Sequence, residues 1–130
     1  MIKHLVISGG GPTGFISYGA LKMLSKKGFW DIKNIKNIYA SSIGGFIAVC
    51  VALGYNWQDL DDYLIKRPWE KAFGGIKTDL LEVLYNKGLD GESIFSICMA
   101  PLLKGKDLQE TITLKQFFDF NNINMYFSNF

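Results

Sequence analysis

Residues 43–53 form an apolar run that a surface helix could not carry. The segment from Ile43 to Leu53 has the length of a helix, presents no polar face and is followed by Gly54, which suits a helix end. A helix that is apolar all round has to be buried on every side, so we predict that it lies at the centre of the fold. It is far shorter than the ~20 residues needed to cross a bilayer.

Two short apolar segments before this helix have the composition of buried strands. Leu5–Ser8 is apolar without alternation, which is typical of a parallel sheet covered on both faces, and Asn37–Ala40 leads directly into the central helix. A further helix is predicted between them over residues 12–27, with Gly28 as its left-handed end. We expect its buried face to include Ile16, Leu21 and Leu24.

The rest of the chain completes an α/β pattern. Helices are predicted over residues 57–66, 79–86, 92–103 and 114–119, and a third strand over 123–128. The expected fold is α/β, a three-layer sandwich with a mainly parallel sheet. Three strands are few for such a sheet, since roughly five or six are usual. The sheet is therefore expected to be incomplete, either completed by another chain in an oligomer or lacking a C-terminal half.

Composition excludes several classes of function. With 48% hydrophobic residues in 130, the chain has enough apolar material for one packed domain, and its net charge of +2 comes without the basic stripe of a nucleic-acid-binding protein. Cys50 and Cys98 lie in apolar helical stretches without metal-ligand spacing, so buried free thiols are favoured over a disulfide. No secretory signal is visible. We expect a cytoplasmic protein that reaches membranes only peripherally.

Three tryptophans lie outside the predicted core. They could contact a membrane or an acyl chain, or be partly buried at helix junctions. These residues are Trp30, Trp57 and Trp69.

Residues 40–45 read Ala-Ser-Ser-Ile-Gly-Gly, between the second strand and the central helix. A nucleophile elbow places small-x-Ser-x-Gly on such a turn, because the positions two before and two after the serine crowd together. Ser42 fits, with Ala40 and Gly44 as the small residues. The same alignment on Ser41 would put bulky side chains at both crowded positions, which excludes it. A plain helix cap is the alternative for the motif.

A glycine cluster, Gly9-Gly-Gly-Pro-Thr-Gly14, follows the first strand. Its spacing fits a dinucleotide-binding loop, but that site needs an acidic residue at the end of the second strand, and Asp31 lies before that strand. The glycines could instead make a tight turn. They could also form an oxyanion hole, because backbone N–H groups converge easily where no Cβ intervenes.

The loop and the elbow together resemble those of the patatin-like phospholipases, whose motifs are Gly-Gly-Gly-x-(Arg/Lys)-Gly and Gly-x-Ser-x-Gly-(Gly/Ala). Residues 18–24, 87–94 and 113–118 also resemble family segments in family order, so the resemblance covers nearly the whole chain. It implies a FabD/lysophospholipase-like core, of which residues 1–130 would be the N-terminal portion. It also implies hydrolysis of a phospholipid or another acyl lipid by a Ser–Asp dyad, without metal or cofactor.

The resemblance carries over residue by residue. Ser42 would be the nucleophile, with Ala40 and Gly44 in its elbow. The N–H groups that would form the oxyanion hole are those of Gly9, Gly10, Gly11 and Ile43.

Three departures from the family pattern affect the expected activity. Ala40 replaces the first elbow glycine, and Thr13 replaces the basic residue of the loop. The family's catalytic Asp lies in Asp-Gly-(Gly/Ala), whereas Asp90 here lacks the third small residue; His4 starts the first strand, at the opposite end from the site. The chain is therefore a fragment of an enzyme, a shortened member that assembles with another chain, or a catalytically inactive protein that binds lipid or a partner.

Overall fold

A computed structural model describes residues 1–10, 13–72 and 91–128 of the chain, which divides into two compact units. The sheet unit consists of Met1–Gly54 and Thr111–Phe130, and the helical unit of Tyr55–Glu110. The helix predicted over 79–86 lies outside the described residues.

The sheet unit contains three parallel strands, β1 (His4–Ile7), β2 (Asn37–Ser41) and β3 (Asn124–Ser128), in the order β1-β2-β3. Ile7 lies opposite Ala40, so β1 and β2 end side by side. The predicted α/β class with a parallel sheet is confirmed.

One face of this sheet is buried and the other is exposed. In β1, Leu5 and Ile7 are buried while Val6 is 80% exposed. Val6, Tyr39 and Tyr126 form a row across the exposed face, where the two tyrosine rings stack 4.8 Å apart. The prediction that β1 is covered on both faces is therefore wrong for the described part of the chain. Alternate residues of a strand point to opposite faces, and the described helices cover one of them.

Helix α2 (Ile43–Ala52) is the central element that the sequence predicted. All ten of its residues are buried, and it contacts β1, β2 and the preceding helix. Gly54 follows with a φ of 73°, the left-handed conformation expected after a helix. Among the described residues, no helix is long and apolar enough to span a membrane.

Helix α1 (Gly14–Lys26) connects β1 to β2 and ends as predicted. Gly28 has a φ of 78°, its N–H donates to the Ser25 carbonyl, and the Phe29 N–H donates to the Leu24 carbonyl. These two bonds make the Schellman arrangement that favours glycine at this position.

The predicted buried face of α1 is wrong. Ile16 is 72% exposed, Leu24 is 43% exposed and Leu21 is half-buried, whereas Gly14 and Tyr18 are buried. The prediction from hydrophobicity placed the aliphatic side chains on the buried face. In the structure α1 instead packs through the face that carries Gly14 and Tyr18.

Gly14 explains this rotation. A Cβ atom on Gly14 would lie 2.5 Å from Ile43 Cγ2, so α1 approaches α2 through its glycine. Residues on the opposite side of α1 then face outward, whatever their hydrophobicity.

The sheet unit closes with α6 (Leu114–Asn121), which leads into β3. The predicted cap Thr113 accepts a hydrogen bond from the Gln116 N–H, and the Gln116 side chain accepts one from the Thr113 N–H. This capping box confirms the predicted start of the helix.

The helical unit contains α3 (Trp57–Leu64), α4 (Trp69–Ala72) and α5 (Gly91–Lys104) among its described residues. The Tyr63 hydroxyl donates to the Cys98 carbonyl at 2.5 Å. The Tyr55 hydroxyl makes the equivalent bond to the Leu102 carbonyl at 2.8 Å.

The three tryptophans are buried or partly buried, which was the second of the two alternatives for them. Trp30 and Trp69 are 6% and 4% exposed, and Trp57 is half-buried. In the helical unit the guanidinium of Arg67 lies 4.6 Å from the Trp69 ring and 4.8 Å from the Tyr63 ring, a cation–π arrangement.

Both cysteines are buried, and no disulfide joins them, as predicted. Burial raises the pKa of the Cys98 thiol from 9.0 to about 12, against a smaller opposing effect of the nearby Arg67 charge. Because the thiolate is the reactive form, we expect native Cys98 to resist iodoacetamide at pH 9, where roughly one thousandth of it is ionised. In urea the thiol should be about half ionised at this pH and react rapidly. Site-resolved mass spectrometry would measure both rates, and equal rates would contradict the expectation.

Candidate active site

The turn between β2 and α2 consists of Ser42 alone. β2 ends at Ser41 and α2 begins at Ile43. Ser42 has φ 51° and ψ −131°, a conformation that residues with side chains rarely adopt and that costs on the order of 1–3 kcal/mol. Such strain persists only where the surrounding structure enforces it. The chain therefore reverses from strand to helix on this one strained residue, and we refer to it as the Ser42 turn.

Gly44 allows the first turn of α2 to lie against the end of β1. A Cβ atom on Gly44 would lie 2.5 Å from the Ile7 carbonyl oxygen and 2.8 Å from that of Ser8. No side chain fits there without moving a strand. Ala40, the other small residue of the motif, is buried in β2.

The Ser42 side chain is exposed and makes no capping bond, although Ser42 occupies the N-cap position of α2. No hydrogen-bond partner of its hydroxyl lies among the described residues. The Ser42 carbonyl accepts the Gly45 N–H at 2.8 Å, so the backbone begins the helix without a capping bond from the side chain. A plain helix cap, the alternative for this motif, does not describe Ser42.

The glycine loop lies close to Ser42 and Ile43 at both of its described ends. A Cβ on Gly9 would lie 2.9 Å from the Ser42 Cβ, and one on Gly14 would lie 2.5 Å from Ile43 Cγ2. Between them, the Gly10 carbonyl accepts bonds from both the N–H and the hydroxyl of Thr13. The residue that departs from the family's basic position thus closes the loop with its hydroxyl.

Ser41 has a structural role that the sequence analysis missed. Its Oγ accepts the Gly9 N–H at 2.9 Å, which joins the end of β2 to the start of the glycine loop. The parallel pairing of β1 and β2 could have indicated this role. Ile7 pairs with Ala40, so the next residue of β2, Ser41, lies beside the loop that follows β1.

This bond changes what can be expected of the loop donors. The Gly9 N–H already donates to Ser41, so in this structure it does not offer its proton to a substrate oxygen. The N–H groups of Gly10 and Ile43 have no acceptor among the described residues; the first N–H groups of a helix lack partners within it. Gly11 lies outside the described residues.

No acid or base partner of Ser42 is found in the described part of the chain. Asp90 lies outside it. His4 is exposed at the start of β1, about 10 Å from the strand's other end, and its Nδ1 lies 2.9 Å from the Asn37 amide nitrogen. His4 is therefore away from the elbow, as predicted.

The described structure does not provide the acidic residue that a dinucleotide-binding site needs. Asp31 caps the short helical turn Ile32–Asn34 by accepting the Lys33 N–H at 2.9 Å. β2 ends in Ser41, so the described structure brings no carboxylate to the position that would hold a ribose.

We expect Gly44→Ala to lower the free energy of unfolding by about 1–3 kcal/mol, because the added methyl would meet two backbone oxygens. Gly19→Ala is the matched control. Gly19 lies exposed in α1 with no atom within 4 Å of an added Cβ, so this change should raise stability by up to about 1 kcal/mol. Urea unfolding measures both, and a neutral Gly44→Ala would contradict the close approach.

We expect Ser41→Val to lower the free energy of unfolding by about 1–2 kcal/mol relative to Ser41→Thr, because valine leaves the Gly9 N–H without its acceptor. The two variants have nearly the same shape and both suit a strand, so their difference isolates the hydroxyl. Equal urea midpoints for the two proteins would show that the bond contributes nothing.

Comparison with known proteins identifies the family of the chain. The family model of the patatin-like phospholipases matches residues 5–128. An uncharacterized protein of Acanthamoeba polyphaga mimivirus, R571, is 38% identical over 96 residues, which cover 62% of the chain and 32% of that protein. The chain thus spans about a third of the length of this relative. No solved structure is significantly similar to this chain. Since the family match covers nearly the whole chain, the protein belongs to the patatin-like phospholipase family.

Proposed function

We propose that this protein hydrolyses acyl esters of lipids, with Ser42 as the nucleophile. The observation that carries the proposal is the Ser42 turn. Its strained backbone holds an exposed hydroxyl beside a glycine loop, and this hydroxyl has no hydrogen-bond partner among the described residues. Strained conformations of this kind cluster at active sites, and nothing else in the described structure uses this one. Family membership supports an acyl lipid, such as a phospholipid, as the substrate.

The reaction would proceed by acyl transfer. Ser42 Oγ attacks the ester carbonyl carbon while a base accepts the hydroxyl proton, and the carbonyl oxygen becomes an oxyanion. Collapse of this intermediate expels the alcohol, which takes up the proton, and leaves an acyl-serine. Water then attacks the acyl-serine, releases the fatty acid and restores the hydroxyl.

We assign the oxyanion donors to the N–H groups of Gly10, Gly11 and Ile43. Ile43 directly follows Ser42, and Gly10 directly follows Gly9, whose added Cβ would lie 2.9 Å from the Ser42 Cβ. The N–H groups of Gly10 and Ile43 have no acceptor among the described residues. Loss of one such donor typically costs on the order of 3 kcal/mol of barrier. Gly9 is left out of this set because its N–H holds Ser41; it anchors the loop instead.

The base has to come from outside the described residues. We propose that residues 1–130 form the N-terminal portion of a patatin-like domain, whose further chain supplies an aspartate and the second covering layer of a three-layer sandwich. The exposed row of Val6, Tyr39 and Tyr126 supports this, because an uncovered apolar sheet face is costly in water. Asp90 is the alternative base within the chain. A cytoplasmic location stays a prediction from the sequence.

A second function is a catalytically inactive domain that binds lipid or a partner. It is favoured by one observation: the Ser42 hydroxyl has no acid or base partner in the described part of the chain. A serine without such a partner is a weak nucleophile.

A fluorophosphonate probe distinguishes the two functions, because it forms a covalent bond with an activated serine. We expect the protein to be labelled and Ser42→Ala to lose all labelling. Ser128→Ala is the matched control, since Ser128 is an exposed serine at the same end of the sheet and pairs with Ser41. It should be labelled like the wild type.

Both the 130-residue chain and the full product of its source reading frame should be probed, because the base can lie on further chain. Labelling that persists in Ser42→Ala would exclude Ser42 as the nucleophile. A folded full-length product that resists the probe would favour the inactive binding domain.

A further inference from the structure

The outward side of α1 carries apolar side chains where a surface helix ordinarily carries polar ones. Ile16 is 72% exposed and Met23 59% exposed, seven residues and two turns apart. Leu24 is 43% exposed, and Phe29, just past the helix end, is 61% exposed. We call these four residues the outer α1 face.

Packing fixes this exposure. Gly14 and Tyr18 are held inward, with Gly14 against Ile43, and Ile16 and Met23 lie on the opposite side of the helix. Two backbone bonds end α1 at Gly28, so the helix has a defined rotation and a defined end. α1 cannot turn to bury the outer face without removing Gly14 from α2.

The charge around this face is positive. Residues 1–30 contain four lysines and no acidic residue, and Lys26 and Lys27 are exposed in and just after the last turn of α1. The sheet unit as a whole has seven lysines and two aspartates, a net charge of +5, although the complete chain carries only +2. The positive charge is thus concentrated in the unit that bears the outer α1 face.

We propose that the outer α1 face docks the protein on the surface of a bilayer that contains anionic phospholipids. Apolar side chains with flanking lysines are the pattern by which helices lie in the headgroup region, and anionic lipids attract such lysines. A second copy of the chain would bring the same +5 unit against this face and be repelled. The choice of lipid as the partner rests on the proposed function.

The outer α1 face and Ser42 belong to the same packed unit. Ile16 lies two residues after Gly14, and Gly14 contacts Ile43, the residue next to Ser42. Docking through α1 therefore holds the unit that carries the glycine loop and Ser42 at the membrane.

The exposed sheet face is a different kind of surface. Within the strands, its row of Val6, Tyr39 and Tyr126 has polar, uncharged neighbours and His4 on the same face; Lys3 and Lys36 lie just before β1 and β2. Charge complementarity with anionic lipid therefore distinguishes the outer α1 face from it.

Vesicle flotation of the full chain tests the proposal. We expect the protein to float with vesicles of phosphatidylcholine and phosphatidylglycerol, and less with phosphatidylcholine alone. Ile16→Ser with Met23→Ser should lower partitioning by at least about tenfold, which corresponds to about 1.4 kcal/mol. Ile65→Ser is the matched control, because Ile65 is 58% exposed and lies in the helical unit; it should float like the wild type. Lys26→Gln with Lys27→Gln should remove the preference for phosphatidylglycerol, as should high salt.

Thermal melting identifies any variant that unfolds. If the Ile16→Ser, Met23→Ser protein unfolds, the Lys26→Gln, Lys27→Gln protein still tests the proposal. The proposal is overturned if the wild type does not float, or if the folded variants bind as it does. It is also overturned if the apolar pair changes only the oligomeric state, which would assign the face to a second copy. Flotation involves no reaction, so a protein that floats but resists the fluorophosphonate loses the proposed catalysis and keeps the docking surface.

Discussion

The site depends on one close approach, between the carbonyl end of β1 and the first turn of α2. Gly44 makes it possible, since any larger residue would meet the carbonyl oxygens of Ile7 and Ser8. With α2 held there, the chain leaving β1 passes directly over the elbow. The contact of Gly9 with Ser42 is a consequence of this approach. A loop and a turn separated by about thirty residues of sequence thus become one site.

The strained Ser42 turn needs rigid elements on both sides. β2 is the central strand of the three described, paired with both neighbours, and α2 is buried at all ten residues. Neither element can shift to relax the turn without disturbing the core. The favourable packing of β2 and α2 therefore offsets the conformational strain at Ser42. The all-apolar composition of α2 therefore has a second use beyond filling the core, because it anchors the residue that precedes the helix.

The sequence was sufficient for features that depend on local chemistry. Continuous apolar runs located β1 and α2, small residues around Ser42 located the turn between β2 and α2, and Thr113 located a helix start. It failed for features that depend on which surfaces meet. Nothing local to α1 indicates that Gly14, rather than Ile16, faces inward, because that choice belongs to the contact with Ile43.

The role of Ser41 also depends on which surfaces meet, and it reduces the number of loop N–H groups that could bind a substrate oxygen. Steric reasoning removed Ser41 as a nucleophile but could not show that its hydroxyl accepts the Gly9 N–H. Once that bond is known, the two adjacent serines have separate tasks. Ser41 is held in a strand and accepts the N–H at the start of the loop, whereas Ser42 is exposed on the turn and makes no side-chain capping bond to α2. For the proposed oxyanion hole, this bond leaves the Gly10 N–H rather than the Gly9 N–H as the first available donor of the loop.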